Sequence, residues 1–157
     1  MLSIAVIGAG RIGNIHARNV AAHPGARLAG VADVDAAAAS RLAEACGARA
    51  LPLDEAFTAD AVLIGSPTPT HVDYIERAAA AGKAIFCEKP IDLAADRVRA
   101  CLDVVQRAGV PLMIGFNRRF DPNFSALRKR VAEGAIGPLE ILSITSRDPG
   151  QIGRAHV

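Results

Sequence analysis

Ile4, Ala5, Val6 and Ile7 lead without a break into Gly8, Ala9, Gly10, Arg11, Ile12 and Gly13. A continuous apolar run predicts a strand covered on both faces. Three glycines spaced G-x-G-x-x-G directly after it predict a tight turn opening onto a helix. Gly8 permits the turn, Gly10 lets the backbone approach a pyrophosphate, and Gly13 lets the helix sit close to the sheet. The first helical N–H groups, at Arg11 and Ile12, then face an anion. Asp33 stands about 20 residues on, at the end of the second apolar run Leu28 to Ala32. There a carboxylate takes the hydroxyls of an adenosine ribose. A carboxylate also repels a 2′-phosphate, and Val34 follows where an arginine would accept one, so the expected dinucleotide is NAD and not NADP.

The rest of the chain continues the alternation of strand and helix. Ile12, Ile15 and Val20 are expected to face the sheet from the first helix, and His16 to be a partly exposed helix residue with no catalytic part. Asp35 suits the N-cap of a helix over Ala36 to Cys46. Ala48 to Leu51 predicts a short third strand, Leu53 to Phe57 a small helix, and Ala61 to Ile64 a buried fourth strand. The loop Gly65, Ser66, Pro67, Thr68, Pro69, Thr70, His71 follows, with Thr70 expected to cap the next helix and Asp73 three residues on. Ligands bind at the carboxyl ends of such strands, which makes Ser66, Pro67, Thr68 and His71 site candidates. Ala84 to Phe86 predicts a fifth strand running into Cys87, Glu88, Lys89 and Pro90, an acid and an amine beside the same crevice. Asp92 is expected to cap a helix carrying Val98, Cys101, Leu102 and Val105, closed by Gly109. Pro111 to Ile114 predicts a sixth strand. The fold class is thus α/β, a doubly wound parallel sheet of the Rossmann type, with strand order 3-2-1-4-5-6.

Composition narrows the function. The formal charge is +2 over 157 residues, and the cations are scattered among acids, so no nucleic-acid partner is expected. Cys46, Cys87 and Cys101 are too widely spaced for a C-x-x-C pair and have no histidine cluster beside them. Reduced thiols and no metal site are expected. No apolar run approaches membrane-spanning length and no leader precedes the first strand, so a cytoplasmic protein with no membrane partner is expected.

The glycine turn, the Ser66 to His71 loop and the Cys87-Glu88-Lys89-Pro90 turn, in this order and spacing, resemble the glucose-fructose oxidoreductase and inositol dehydrogenase family. The run Gly115-Phe116-Asn117-Arg118-Arg119-Phe120-Asp121-Pro122-Asn123, with Ser146-Arg147-Asp148-Pro149, narrows the likeness to its inositol-oxidising members. The resemblance implies NAD-dependent hydride transfer from a polyol or sugar, with myo-inositol the expected substrate. It implies that Lys89 is the catalytic residue and also touches the substrate, and that Glu88 and Asn117 lie on the cofactor side. Arg118, Arg147 and Asp148 are its implied substrate contacts. It further implies a homo-oligomeric full-length protein.

The expected organisation is a dinucleotide-binding domain over residues 1–120, then a connecting helix and the start of a truncated second domain over 121–149. In that second part Asp121 and Pro122 begin a helix. Phe124, Leu127 and Val131 are expected to face inward, Arg128, Lys129 and Arg130 outward, and Leu139 to Ser146 to open a second sheet. The tail 150–157 is expected to be non-native, because Ile152-Gly153-Arg154-Ala155-His156-Val157 matches the translation of a widely used sequencing adapter.

Overall fold

Five short apolar strands, each followed by an amphipathic helix or loop, form one parallel sheet in the computed structural model, which describes residues 1–145. The elements are β1 (Leu2–Ile7), α1 (Arg11–Ala22), β2 (Ala26–Ala32), α2 (Ala36–Ala45), α3 (Leu53–Ala56), β3 (Ala61–Ile64), α4 (His71–Ala80), β4 (Ala84–Cys87), α5 (Ala95–Ala108), β5 (Leu112–Ile114) and α6 (Pro122–Ala132). The sheet order is β2-β1-β3-β4-β5, with every neighbouring pair parallel. The expected strand at Ala48 to Leu51 is reduced to a single parallel bridge between Ala50 and Val31. It lies outside β2, where the predicted order puts it, but Pro52 ends it before a ladder can form.

Alternation along the strands divides the core between the two faces of the sheet. Ala5 and Ile7 of β1 pack with Val62, Ile64, Ile85 and Cys87 under Val72 and Ile75 of α4 and Cys101 and Val105 of α5. Val6, between them in sequence, packs on the opposite face with Val31 and Leu63 under Ala17 and Val20 of α1 and Leu42 of α2. Helices on both faces are what make continuous apolar strands stable.

Several local expectations are corrected. Ile15 is 50% exposed, because the stripe of α1 that meets the sheet is Gly13, Ala17 and Val20, and Ile15 is two residues, or 200°, round from Gly13. Leu102 is likewise exposed while its neighbour Cys101 is buried. Thr70 does not cap α4 with its side chain, since its hydroxyl donates instead to the Pro67 carbonyl within a 3₁₀ turn over Thr68–Thr70. Asp92 lies two residues before the N-cap position of α5, where it accepts from the Ala94 N–H and pairs with Arg97 at 3.3 Å. Asp35 and Asp121 do cap their helices, each accepting from two first-turn N–H groups.

Burial holds the thiols of Cys87 and Cys101 protonated, pushed up to about 12 and about 11 respectively, each with a smaller contribution from neighbouring acidic groups. Neither forms a disulfide. At the other end of the sheet, Asp60 accepts from both the N–H and the hydroxyl of Ser3, at 2.8 and 2.7 Å, and returns its own N–H to the Ser3 hydroxyl. These bonds lower the Asp60 carboxyl below its ordinary value of 3.8. A depressed carboxylate stabilises the fold above its unfolded value and loses that contribution as pH falls through the folded one. Ser3→Ala is therefore expected to lower the urea midpoint at neutral pH. Its difference from the parent should shrink as pH falls below 3.8.

The chain divides into two compact units, residues 1–116 and the residues from Asn117 onward. In the second, Phe124 and Leu127 are exposed, contrary to expectation. Residues 139–145 form no strand, so the expected opening of a second sheet is not seen there. The tail 150–157 lies outside the described residues. Among the described residues no helix is long and apolar enough to cross a membrane.

Candidate cofactor and catalytic site

The glycine turn is a stack of backbone on backbone. Gly8 has a φ of +106°, open to glycine alone, and a Cβ there would stand 2.7 Å from the main chain of Gly65 and Ser66. A Cβ on Gly13 would fall on the carbonyl oxygen of Gly8. Gly10 differs: nothing lies within 4 Å of where its Cβ would be. Gly10 is also the N-cap of α1 and brings no side chain to it, so the first-turn N–H groups, including those of Arg11 and Ile12, are left for an anion. Asp33 closes the other side. One carboxylate oxygen accepts from the Ala9 N–H at 2.6 Å and the other from the Asp35 N–H at 2.8 Å. The acid that can hold a ribose therefore also ties the end of β2 to the glycine turn. An uncapped helix terminus, clear space over Gly10 and a fixed carboxylate at the strand end fit the pyrophosphate and ribose of NAD.

The loop after β3 is held from within. The Thr70 hydroxyl donates to Pro67, so the 2.7 Å contact between the hydroxyls of Ser66 and Thr70 has Ser66 as donor. His71 is 2% exposed, and its two ring nitrogens each lie 2.7 Å from a carbonyl oxygen, Nε2 from Ser66 and Nδ1 from Pro90. Both ring nitrogens are thus taken up against main-chain carbonyls of this chain. No ring nitrogen remains for a cofactor, so His71 serves the site by joining the Ser66 loop to the Glu88-Lys89-Pro90 turn. Pro67 and Thr68 stand on the outer part of that loop, Pro67 exposed and Thr68 half-buried.

That second turn leaves the end of β4, anchored by Glu88 N–H to the Ile64 carbonyl at 2.9 Å and by Gly115 N–H to the Cys87 carbonyl at 2.9 Å. The Lys89–Pro90 peptide is cis. Lys89 is exposed, and among the described residues no carboxylate pairs with its amine. The nearest in sequence, Glu88, is engaged elsewhere. One of its oxygens lies 2.8 Å from His16 Nε2 and the other accepts from the Lys89 N–H at 3.3 Å. The carboxyl group also lies close against Gly115, 3.0 to 3.1 Å from where a Cβ there would stand. The His16 ring is itself seated edge-on to Phe86, with centroids 5.1 Å apart. His16, half-buried as expected of a helix residue, thus meets Glu88, a contact that sequence reasoning missed. Nothing on α1 signals a partner 72 residues away.

Asn117 and Arg118 begin the second unit, in a 3₁₀ turn over Asn117–Phe120. The Arg118 guanidinium stands 5.4 Å from the centre of the Phe124 ring. A concavity of about 620 Å³ within this unit is lined by Arg118, Arg119, Phe124 and Arg128 and shares no residue with the glycine turn or residues 88–90. Arg147 and Asp148 lie outside the described residues. Among the described residues no three His, Cys, Asp or Glu side chains gather as a metal site would require.

Residues 2–116 match the family described as an oxidoreductase family with an NAD-binding Rossmann fold. Inositol 2-dehydrogenase from Rhizobium meliloti is 56% identical over 147 residues, which are 92% of this chain and 44% of that protein. The crystal structure of a myo-inositol dehydrogenase from Corynebacterium glutamicum superposes with a TM-score of 0.82 at 51% identity, over 89% of this chain and 43% of the other. A scyllo-inositol dehydrogenase from Lactobacillus casei, solved with bound cofactor NAD(H) and scyllo-inositol, gives a TM-score of 0.81 at 32% identity, over 87% of this chain and 42% of the other. The chain spans less than half the length of these relatives.

Proposed function

We propose a function from the premise that this chain belongs to the oxidoreductase family with an NAD-binding Rossmann fold: it is the cofactor-binding half of a cytoplasmic polyol dehydrogenase whose expected substrate is myo-inositol. Residues 1–120 form the dinucleotide-binding domain in this reading, and those from 121 to 149 open a second domain that supplies substrate and subunit contacts in a homo-oligomer. NAD, when bound, supplies the acceptor for a hydride. Gly8 to Gly13 hold its pyrophosphate and Asp33 its adenosine ribose, while the Ser66 loop lines the crevice, Glu88 stands on the cofactor side near the ribose and Asn117 near the nicotinamide. Lys89, as the free amine, takes the proton of the substrate hydroxyl while the hydride leaves the same carbon. The alcohol loses two electrons and becomes a ketone, and Lys89 becomes the ammonium. Arg118, Arg147 and Asp148 orient the polyol.

The observation that carries this reading is Lys89 itself, an exposed amine without a carboxylate partner among the described residues, on the turn that leaves the carboxyl end of β4. Ligands of such sheets bind at that end of the strands. A protein that only senses the dinucleotide has no use for an amine there. The reading with another ring polyol as substrate keeps the same residues, and the relative solved with scyllo-inositol favours including it.

The test is NADH formation, followed at the nicotinamide absorbance, by the full-length protein and by the 157-residue chain. Each is given myo-inositol, scyllo-inositol, glucose or no substrate. The full-length protein is expected to reduce NAD with an inositol and the short chain to bind NAD without turnover, since a one-walled crevice neither excludes water nor holds the substrate. Cofactor binding with no polyol oxidised by the full-length protein would leave a binding protein instead.

A further inference from the structure

We infer that His16 is a positioning residue: it draws the Glu88 carboxylate into a seat between α1 and Gly115 and so keeps the adjacent Lys89 amine free of its nearest counter-ion. The inference rests on the proposed role of Lys89, which needs an amine able to accept a proton. A carboxylate one residue away on the same turn is the most available partner for that amine, and pairing with it would favour the ammonium form. The pairing is not made. One Glu88 oxygen is 2.8 Å from His16 Nε2, which must be the donor because a carboxylate only accepts. The other accepts from the Lys89 main-chain N–H. The carboxyl group lies close over Gly115, where an added Cβ would come within 3.0 to 3.1 Å of it. His16 is in turn held edge-on by Phe86, so its reach toward Glu88 is fixed from the body of the sheet. The arrangement joins the helix that follows the glycine turn to the turn that bears the reactive amine.

The test reads the amine directly, with no cofactor or substrate. The 157-residue chain is treated with limiting acetic anhydride at fixed pH, and acetylation of Lys89 is compared by mass spectrometry with that of Lys83 and Lys129. His16→Asn is too short to reach Glu88, and Lys89 labelling in it is expected to fall about two- to fivefold as the released carboxylate pairs with the exposed amine. His16→Gln keeps an N–H at similar reach and should label as the parent does. His16→Asn combined with Glu88→Gln should recover the parent rate, because the offending charge is gone. Lys83 and Lys129 should be unchanged throughout, which separates the effect from unfolding. Unchanged Lys89 labelling in His16→Asn, or a double variant that stays slow, overturns the inference. Because labelling needs no turnover, its failure is distinct from a failure to oxidise any polyol.

Discussion

In the full-length protein, Lys89→Ala is expected to lower kcat for polyol oxidation by about 10³-fold, within the range for loss of a general acid–base group. NAD affinity should stay within about threefold, because the groups that would hold the pyrophosphate and ribose are main-chain N–H groups and Asp33, none of which Lys89 touches. Lys89→Arg distinguishes the chemistry from simple charge. Arginine preserves the cation but never gives up its proton at ordinary pH, so it cannot act as the base. It is expected to be as poor as alanine. An arginine variant with substantial turnover would mean that position 89 contributes only charge, and proton removal would have to be assigned to another group. Initial rates with saturating NAD, alongside NADH binding by fluorescence, separate the two effects.

Gly13→Ala and Gly10→Ala should part in the opposite sense, although both change a glycine of the same turn. At Gly13 the added methyl meets the carbonyl of Gly8, a main-chain group pinned by the Gly8 N–H bond to the Ala32 carbonyl at 2.8 Å. Neither side can yield without opening the contact between α1 and β1. A loss of at least about 2–3 kcal/mol is expected, the upper part of the range for overpacking, and a large share of a typical domain's total stability. At Gly10 the φ of −69° suits alanine and no atom stands within 4 Å of the new methyl. Stability there is expected to stay within about 0.5 kcal/mol of the parent. NAD affinity should nevertheless fall by at least about tenfold, because the methyl occupies the space through which a pyrophosphate approaches the helix terminus. Urea unfolding and NADH binding on the same two variants check both halves. A Gly10→Ala chain that binds as the parent does would remove the glycine turn as the pyrophosphate site.

By itself the sequence determined the features that depend on near neighbours. Apolar runs specified β1, β3 and β4, helical spacing specified α5, and short side chains specified the caps at Asp35 and Asp121 but not at Thr70 or Asp92. The glycine turn and the acid at the end of β2 were legible too, because strand, turn, helix and strand lie within one βαβ unit and their spacing is fixed by its length. The parallel order followed from the alternation of strand and helix. What only the tertiary structure decided are the meetings between distant segments. Whether Ile15 or Gly13 faced the sheet depended on the rotation of α1, which is set by the close approach of Gly13 to Gly8. How far residues 48–51 would pair with the outer side of β2 was settled in the fold, where a single bridge forms before Pro52. His71 met the carbonyl of Pro90, and His16 met Glu88, because β1, β3 and β4 are neighbours in the sheet and bring the ends of their loops to one edge. A ring nitrogen reaches only about 3 Å for a hydrogen bond. No pattern in the helix that carries it encodes which residue, many positions away, will be waiting at that distance.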